Sequence, residues 1–395
     1  MPQQKTVVTN AGVVLGPAGT ETGRWNIVIA DGRIEALTPA GAPLPPGSSQ
    51  IDGSGLSACP GFIDLHVHGG QGADFMDATE EAFQTIADFH ARGGTTAYFP
   101  TTASETLEAI LASIDMAGRC RARQVGGVEI LGVHVEGPYF HPRKHGCHSP
   151  AFVRPPAPQE NRAYLDRAHI IRRVTLAPEL PGAQEFVREL SRAGIIPSGG
   201  HSEATAEEVK RAADNGMTMI THLYSAMSTI SKNGPYRIPG MLELALLDDR
   251  LSTELIADLK HVPPELLLLA LKAKAKDTVC FTTDSMRGAG MPDGVYTFGS
   301  RRGTQAIVEN GVARNLENTG FASSTVRMID LVRNGVEALA LDLAAAVRLA
   351  SFVPAKIAGV LNRKGTLETG KDADILLLAI TPRLEVRLTL KKGKR

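Results

Sequence analysis

The sequence predicts an α/β fold: a (β/α)8 TIM-type barrel with a small β-sandwich domain built from both chain termini. Three observations predict it. The middle of the chain alternates short strand-like runs with helical patterns, which argues for parallel βα units. There are eight such runs, the number a closed barrel needs, and 395 residues leave room for a barrel of about 250 plus a second module. Both ends are rich in β-forming residues yet too short to bury a core alone, so they are expected to pair with each other.

Taken in order, residues 6–8, 25–29 and 33–36 have strand character, with Asp31-Gly32 as a hairpin turn. Residues 39–49, rich in Pro, Gly and Ser, are loop. The eight barrel runs are 62–68, 96–101, 130–136, 174–179, 195–201, 219–224, 254–262 and 279–284. Beyond them, 365–367, 373–379 and 384–390 read as strands again. The expected division is therefore 59–355 for the barrel, with 1–58 and 356–395 forming the sandwich.

Composition narrows the function. Hydrophobic residues make up 43% and charged residues 21%, which supports a large core and argues against disorder. Lys plus Arg equals Asp plus Glu, 42 each, with no long run of either sign. That balance removes the electrostatic case for a nucleic-acid or membrane partner and favours a small molecule. Cys59, Cys120, Cys147 and Cys280 form no C-x-x-C pair, so a reducing cytoplasm is expected rather than a disulfide framework. The N-terminal stretch lacks an apolar core of signal-peptide length, and no run reaches the roughly 18–20 apolar residues of a membrane span. The oiliest run, 266–271, is followed by Lys272, Lys274 and Lys276 and reads as one amphipathic helix.

The chemistry lies in where the metal-capable side chains fall. His66 and His68 end the first run, Glu136 the third and His201 the fifth; His222 falls in the sixth and Asp284 closes the eighth. Strand residues i and i+2 share a face, so His66 and His68 both face the barrel axis, and such barrels build their sites at strand C-termini. A lone histidine there is more often structural, and a lone carboxylate more often caps the next helix. Six such groups at one rim are not accounted for that way. Four imidazoles and two carboxylates suit one or two divalent ions: Zn²⁺ first, with Fe²⁺, Co²⁺ or Mn²⁺ as alternatives.

The segments PGFIDLHVHGG (60–70), HVEGPYF (134–140), GHSEAT (200–205), THLYSAM (221–227) and TTDSM (282–286) resemble the amidohydrolase superfamily. Within it they resemble the N-acetylglucosamine-6-phosphate deacetylase branch. GMPDGVY (290–296), SSTVRM (323–328) and KGTLETGKDADI (364–375) extend the similarity over most of residues 50–380. The resemblance implies that Glu136, His201 and His222 hold the principal metal. It places His66 and His68 at a second metal site, with Glu136 bridging and Asp284 in reach. Asp284 matches the catalytic acid/base, and His148 matches the histidine that contacts substrate near the scissile carbonyl.

The sugar-phosphate contacts follow the family less closely. Ser225-Ala226 stands where Asn-Ala is usual. Arg237 matches an arginine that the family supplies from a neighbouring subunit, which implies a homodimer, but extra residues including Lys232 and Asn233 precede it. ADLKHV (257–262) keeps His261 but puts Leu259 at a family glycine. Ser225 retains a hydrogen-bonding hydroxyl, and Lys232, Arg237 and Lys260 are the candidate anion partners. The implied reaction is hydrolysis of N-acetylglucosamine 6-phosphate to glucosamine 6-phosphate and acetate. Two alternatives stay open: another N-acyl amino sugar, N-acetylgalactosamine 6-phosphate or an unphosphorylated sugar, and a metal-binding barrel without catalysis. A cyclic-amide hydrolase would be expected to carry a lysine on strand four, and 174–179 has none. His134 is read as a supporting rather than ligating residue, and Cys147 as a spectator thiol.

Overall fold

The computed structural model describes residues 5–16 and 19–395. The chain forms two compact units, the first reaching to Asp64 and taking in His90–Ala97 and Arg327–Arg395. Its centre is a seven-stranded sheet to which both chain ends contribute. The strand order is Glu385–Leu390, Ile375–Ala379, Ser57–Pro60, Thr6–Gly16, Gly19–Ala30 and Arg33–Pro39, with Ser49–Asp52 also paired to Thr6–Gly16. Val8, Ile27, Ile29, Ala58, Ile375 and Leu377 pack together beneath it. Asp31 and Gly32, both at positive φ, make the expected hairpin turn. Residues 365–367 differ from the sequence reading: Gly365 at φ +92° breaks the extended run, and only Leu367 reaches a strand, through its N–H to the Leu15 carbonyl at 2.8 Å.

The second unit, Leu65–Phe89 with Tyr98–Val326, carries the parallel strands. The eight are β1 (Phe62–Val67) and β2 (Thr95–Pro100), both of which begin within the first unit, then β3 (Val133–Glu136), β4 (Ile171–Leu176), β5 (Ile196–Gly199), β6 (Met219–Ile220), β7 (Ser252–Leu255) and β8 (Val279–Phe281). Strands β3 to β8 pair in sequence order, all parallel. Parallel bridges Thr101↔His134 and Val67↔Ser285 close the ring between β2 and β3 and between β8 and β1. Helices alternate with the strands as the sequence pattern requires. Leu107–Arg123 is capped by Thr106, and Ala206–Asp214 opens on a Thr205/Glu208 capping box at the end of the GHSEAT segment.

Several sequence runs extend past the strands that form. His201, His222 and Asp284 were expected inside the fifth, sixth and eighth runs; the strands stop at Gly199, Ile220 and Phe281. The three residues sit just beyond, at φ +50°, +28° and +47°. This left-handed backbone is costly for side-chain-bearing residues, and such outliers gather at functional sites. Nothing in side-chain hydrophobicity signals it. Gly69 meets a related constraint: a Cβ there would lie 2.3 Å from the Ala73 carbonyl oxygen.

Candidate active site

Glu136, at the end of β3, is the hub of the site. Its carboxylate lies within 3.1–3.4 Å of the Nε2 atoms of His66, His68, His148, His201 and His222. Asp284 lies 3.4 Å from His66 Nε2 and 3.2 Å from His68 Nε2, and it accepts a hydrogen bond from the Ser323 hydroxyl at 3.0 Å. All seven charged or ring side chains are buried. The structure thus brings together all six residues that the sequence offered as metal ligands.

Burial and mutual charge set the protonation. Burial alone would lift Glu136 and Asp284, but the surrounding imidazoles, His66 first, hold both carboxyls well below their ordinary values. Burial would lower His66 and His68. The Glu136 and Asp284 carboxylates outweigh it, placing His66 well above its usual range and His68 at about 9. His201 is pushed down to about 4 and His148 is lowered, chiefly by burial.

Outer hydrogen bonds sort these imidazoles by tautomer. His201 Nδ1 faces the Lys144 carbonyl oxygen at 2.7 Å, so Nδ1 carries the proton and Nε2 points inward bare. Glu254 at 2.7 Å likewise takes the Nδ1 proton of His66, so the proton that a bound cation would displace is the one on Nε2. His148 is the reverse: the Ser104 backbone N–H donates to its Nδ1 at 3.0 Å, which puts the proton on Nε2. His148 is therefore a hydrogen-bond donor into the site and not a bare nitrogen ligand, although it clusters with Glu136 and His201. His134 occupies both ring nitrogens with Thr175 (2.6 Å) and Thr101 (3.3 Å) and has none left for an ion.

The remaining donors fit a divalent cation. Nε2 of His66 faces Nε2 of His68 at 3.2 Å, and Nε2 of His201 faces that of His222 at 3.0 Å. Such nitrogen pairs require a proton or a cation near them. Nδ1 of His68 and of His222 are buried without a hydrogen-bond partner among the described residues. Glu136 and Asp284 together place two negative charges in this buried space. The third nearby carboxylate, Glu254, is neutralised separately: burial would raise it, but Arg173 and His66 hold it at about 2.

Above the cluster opens a cleft of about 320 Å³, the size of a small-molecule site. Glu136, His148, His201, His222 and Asp284 form its floor, and Ser225, Ala226 and His261 its wall. Asp258 takes His261 Nδ1 at 2.8 Å, leaving Nε2 for the cleft. Cys147 also lines it, its thiol pushed well up by burial and by the neighbouring carboxylates. Lys232 and Arg237 are not among the lining residues. They face each other across an exposed hairpin, Ser231–Asn233 with Tyr236–Ile238. The cations that do line the cleft are Arg143 and Lys144, within 3.6 and 3.5 Å of Glu203.

Sequence reasoning passed over Arg143, Lys144, Tyr224, Ser323, Arg173 and Glu254. Ser323 and Tyr224 lie inside the quoted segments SSTVRM and THLYSAM without a role of their own there, Glu254 opens the seventh run, and Arg173 falls just before the fourth.

A closed parallel ring with imidazole and carboxylate donors gathered at the C-terminal ends of its strands defines a metal-dependent hydrolase of the barrel type. The chain belongs to the amidohydrolase family, whose model matches residues 57–395. It is 37% identical over 356 residues to N-acetylgalactosamine-6-phosphate deacetylase of Escherichia coli O157:H7, covering 89% of each chain. It is 34% identical over 370 residues to N-acetylglucosamine-6-phosphate deacetylase of Bacillus subtilis (strain 168), covering 92% of this chain and 91% of that one. The crystal structure of N-acetylglucosamine-6-phosphate deacetylase from Pasteurella multocida matches with a TM-score of 0.91 at 28% identity, covering 99% of both chains.

Proposed function

We propose that this enzyme hydrolyses the acetamide of N-acetylglucosamine 6-phosphate, giving glucosamine 6-phosphate and acetate. One observation carries the reading: a single cleft presents a carboxylate kept ionised, Asp284, beside an imidazole kept protonated on Nε2, His148. Amide hydrolysis needs that pair, one group to take a proton from water and one to stabilise the oxyanion.

Glu136, His201 and His222 would hold one ion, and His66 with His68 a second, sharing Glu136 and with Asp284 in reach. Zinc is our assignment, because its preferred nitrogen and oxygen ligands are those present. When bound, such an ion supplies Lewis acidity and lowers the pKa of a coordinated water to about 7. The chain's own groups do the rest. His148 donates from Nε2–H to the acetyl oxygen as negative charge develops there. Asp284, oriented by Ser323, accepts the proton of the attacking water and returns it to the sugar nitrogen, since an amide anion does not leave unaided. Ser225, Ala226 and His261 would bind the sugar phosphate, with Arg143 and Lys144 as the nearby cations.

N-acetylgalactosamine 6-phosphate is the second reading, favoured by the relative at 37% identity and by Ser225 in place of the family asparagine. Acetate release from both 6-phosphates and from the unphosphorylated sugars decides between them. No release from any of the four by the metal-loaded protein would sink both. We further propose a cytoplasmic homodimer. The four cysteines are free, which suits a reducing compartment, and among the described residues no helix is long and apolar enough to cross a membrane. The dimer rests on the family's arginine from a neighbouring subunit, matched here by Arg237. Light scattering on the purified protein tests it.

A further inference from the structure

Beneath the metal-ligand cluster, strands β4 and β7 bury an ion pair that the mechanism above does not use. Arg173 and Glu254 are both fully inaccessible. Arg173 Nη1 donates to Glu254 Oε2 at 2.6 Å and Nη2 to Oε1 at 3.0 Å; Nη2 also reaches Thr221 Oγ1 at 2.7 Å and Ser198 Oγ at 3.2 Å. A buried pair of this kind is not a route to greater stability, because apolar residues of equal volume serve as well or better. Its geometry points elsewhere. Glu254 Oε1 accepts from His66 Nδ1 at 2.7 Å and also from the backbone N–H of His222 at 3.1 Å. One oxygen therefore fixes the ring of a residue beside Asp284 and the strained backbone, φ +28°, of a residue beside Glu136 and His201.

We infer that Arg173 and Glu254 are positioning residues for metal retention. Glu254 locks His66 as its Nδ1–H tautomer with Nε2 bare toward Glu136 and Asp284, and Arg173 holds Glu254 in place. This rests on the reading of the cluster as a metal centre. A histidine ligand held by an outer carboxylate is more basic and better oriented, and loss of such a partner lowers affinity about 10- to 100-fold.

The test uses Glu254→Gln. A glutamine oxygen in the Oε1 position keeps His66 and Arg173 Nη2 but turns its NH₂ onto the Arg173 Nη1 donor, and in the flipped position the NH₂ meets the His66 Nδ1–H and the His222 backbone N–H. Chelator-stripped wild type and variant are titrated with Zn²⁺ against a competing chromophoric chelator, with bound metal counted by mass spectrometry and folding checked by circular dichroism. We expect a folded variant with weakened zinc binding and an altered visible spectrum when loaded with Co²⁺. Equal affinity, stoichiometry and spectrum would overturn the inference. If the wild type itself takes up no metal, the metal-centre reading has failed, which is a distinguishable result. Should the variant not fold, ¹⁵N spectra of zinc-loaded wild type decide. His66, assigned by its loss in His66→Asn, must be protonated at Nδ1, and protonation at Nε2 refutes the proposal.

Discussion

The floor of the cleft and its rim are built differently. On the floor and in the ligand cluster it belongs to, Glu136, His66, His68, His201, His222 and Asp284 are buried, and three of the six are held by a second bond from behind: Glu254 on His66, the Lys144 carbonyl on His201, Ser323 on Asp284. On the rim, the Arg143 side chain is 74% exposed and both it and Lys144 are tied only loosely, through Glu203. The floor residues lie at or just beyond the ends of strands in a closed ring, whereas the rim cations lie on a loop that no ladder holds. Chemistry placed on the floor tolerates almost no substitution, while recognition placed on the rim changes in small steps.

Removing a floor group should break this contrast most sharply. Asp284→Asn keeps the shape but cannot accept a proton, so kcat is expected to fall about 10³-fold or more. Zinc should stay on Glu136, His201 and His222, checked by metal analysis alongside acetate release. Retained turnover would remove Asp284 from its role. His148→Ala should cost less, about 10²-fold in kcat with KM little changed, because one oxyanion donor is lost while the nucleophile's activation survives. A pure KM effect would make His148 a binding residue only.

The floor also predicts a pH response on metal removal. In the stripped protein His66 and His68 sit above their ordinary values, His68 at about 9, because the Glu136 and Asp284 carboxylates outweigh burial. The sign follows directly. A raised folded pKa means this pairing stabilises the stripped protein fully below the unfolded value near 6.5, and the benefit is lost as pH rises through 9. A cation must displace those protons, so zinc affinity should rise with pH between 6 and 9, by about tenfold per unit for each proton released. Competition titrations at three pH values check this, and a flat profile would mean that neither imidazole binds the ion.

How far the sequence could be read follows the same division. His66, His68 and Glu136 were legible because strand periodicity assigns their facing and barrel geometry assigns their end of the ring. His201, His222 and Asp284 were legible as residues but not as conformations: pattern reading placed them in strands, and the structure places them in left-handed turns just beyond. Arg173 and Glu254 escaped notice because a charge in a strand is ordinarily taken as solvent-facing, whereas here the barrel interior is polar enough to house both. Arg143 and Lys144 left no signal at all. Their approach to the cleft depends on the fold of the loop after β3, in which Pro142–Lys144 forms a short 3-10 turn, and local composition does not encode where such a loop comes to rest.

The rim offers the smallest effect and the finest discrimination. Arg143→Gln and Lys144→Gln should each raise KM for the 6-phosphate sugar by about tenfold or less and leave kcat unchanged, since an exposed cation contributes little beyond screened attraction. Three details separate phosphate recognition from mere local charge. The effect should be absent on the unphosphorylated sugar, should shrink as ionic strength rises, and should be larger for Lys144, whose side chain is 28% exposed against 74% for Arg143. If both substitutions leave KM untouched while Arg237→Gln raises it, the anion is held by the exposed hairpin instead. That hairpin does not line the cleft of its own chain, so the binding site would then have to be completed by a second copy of the protein.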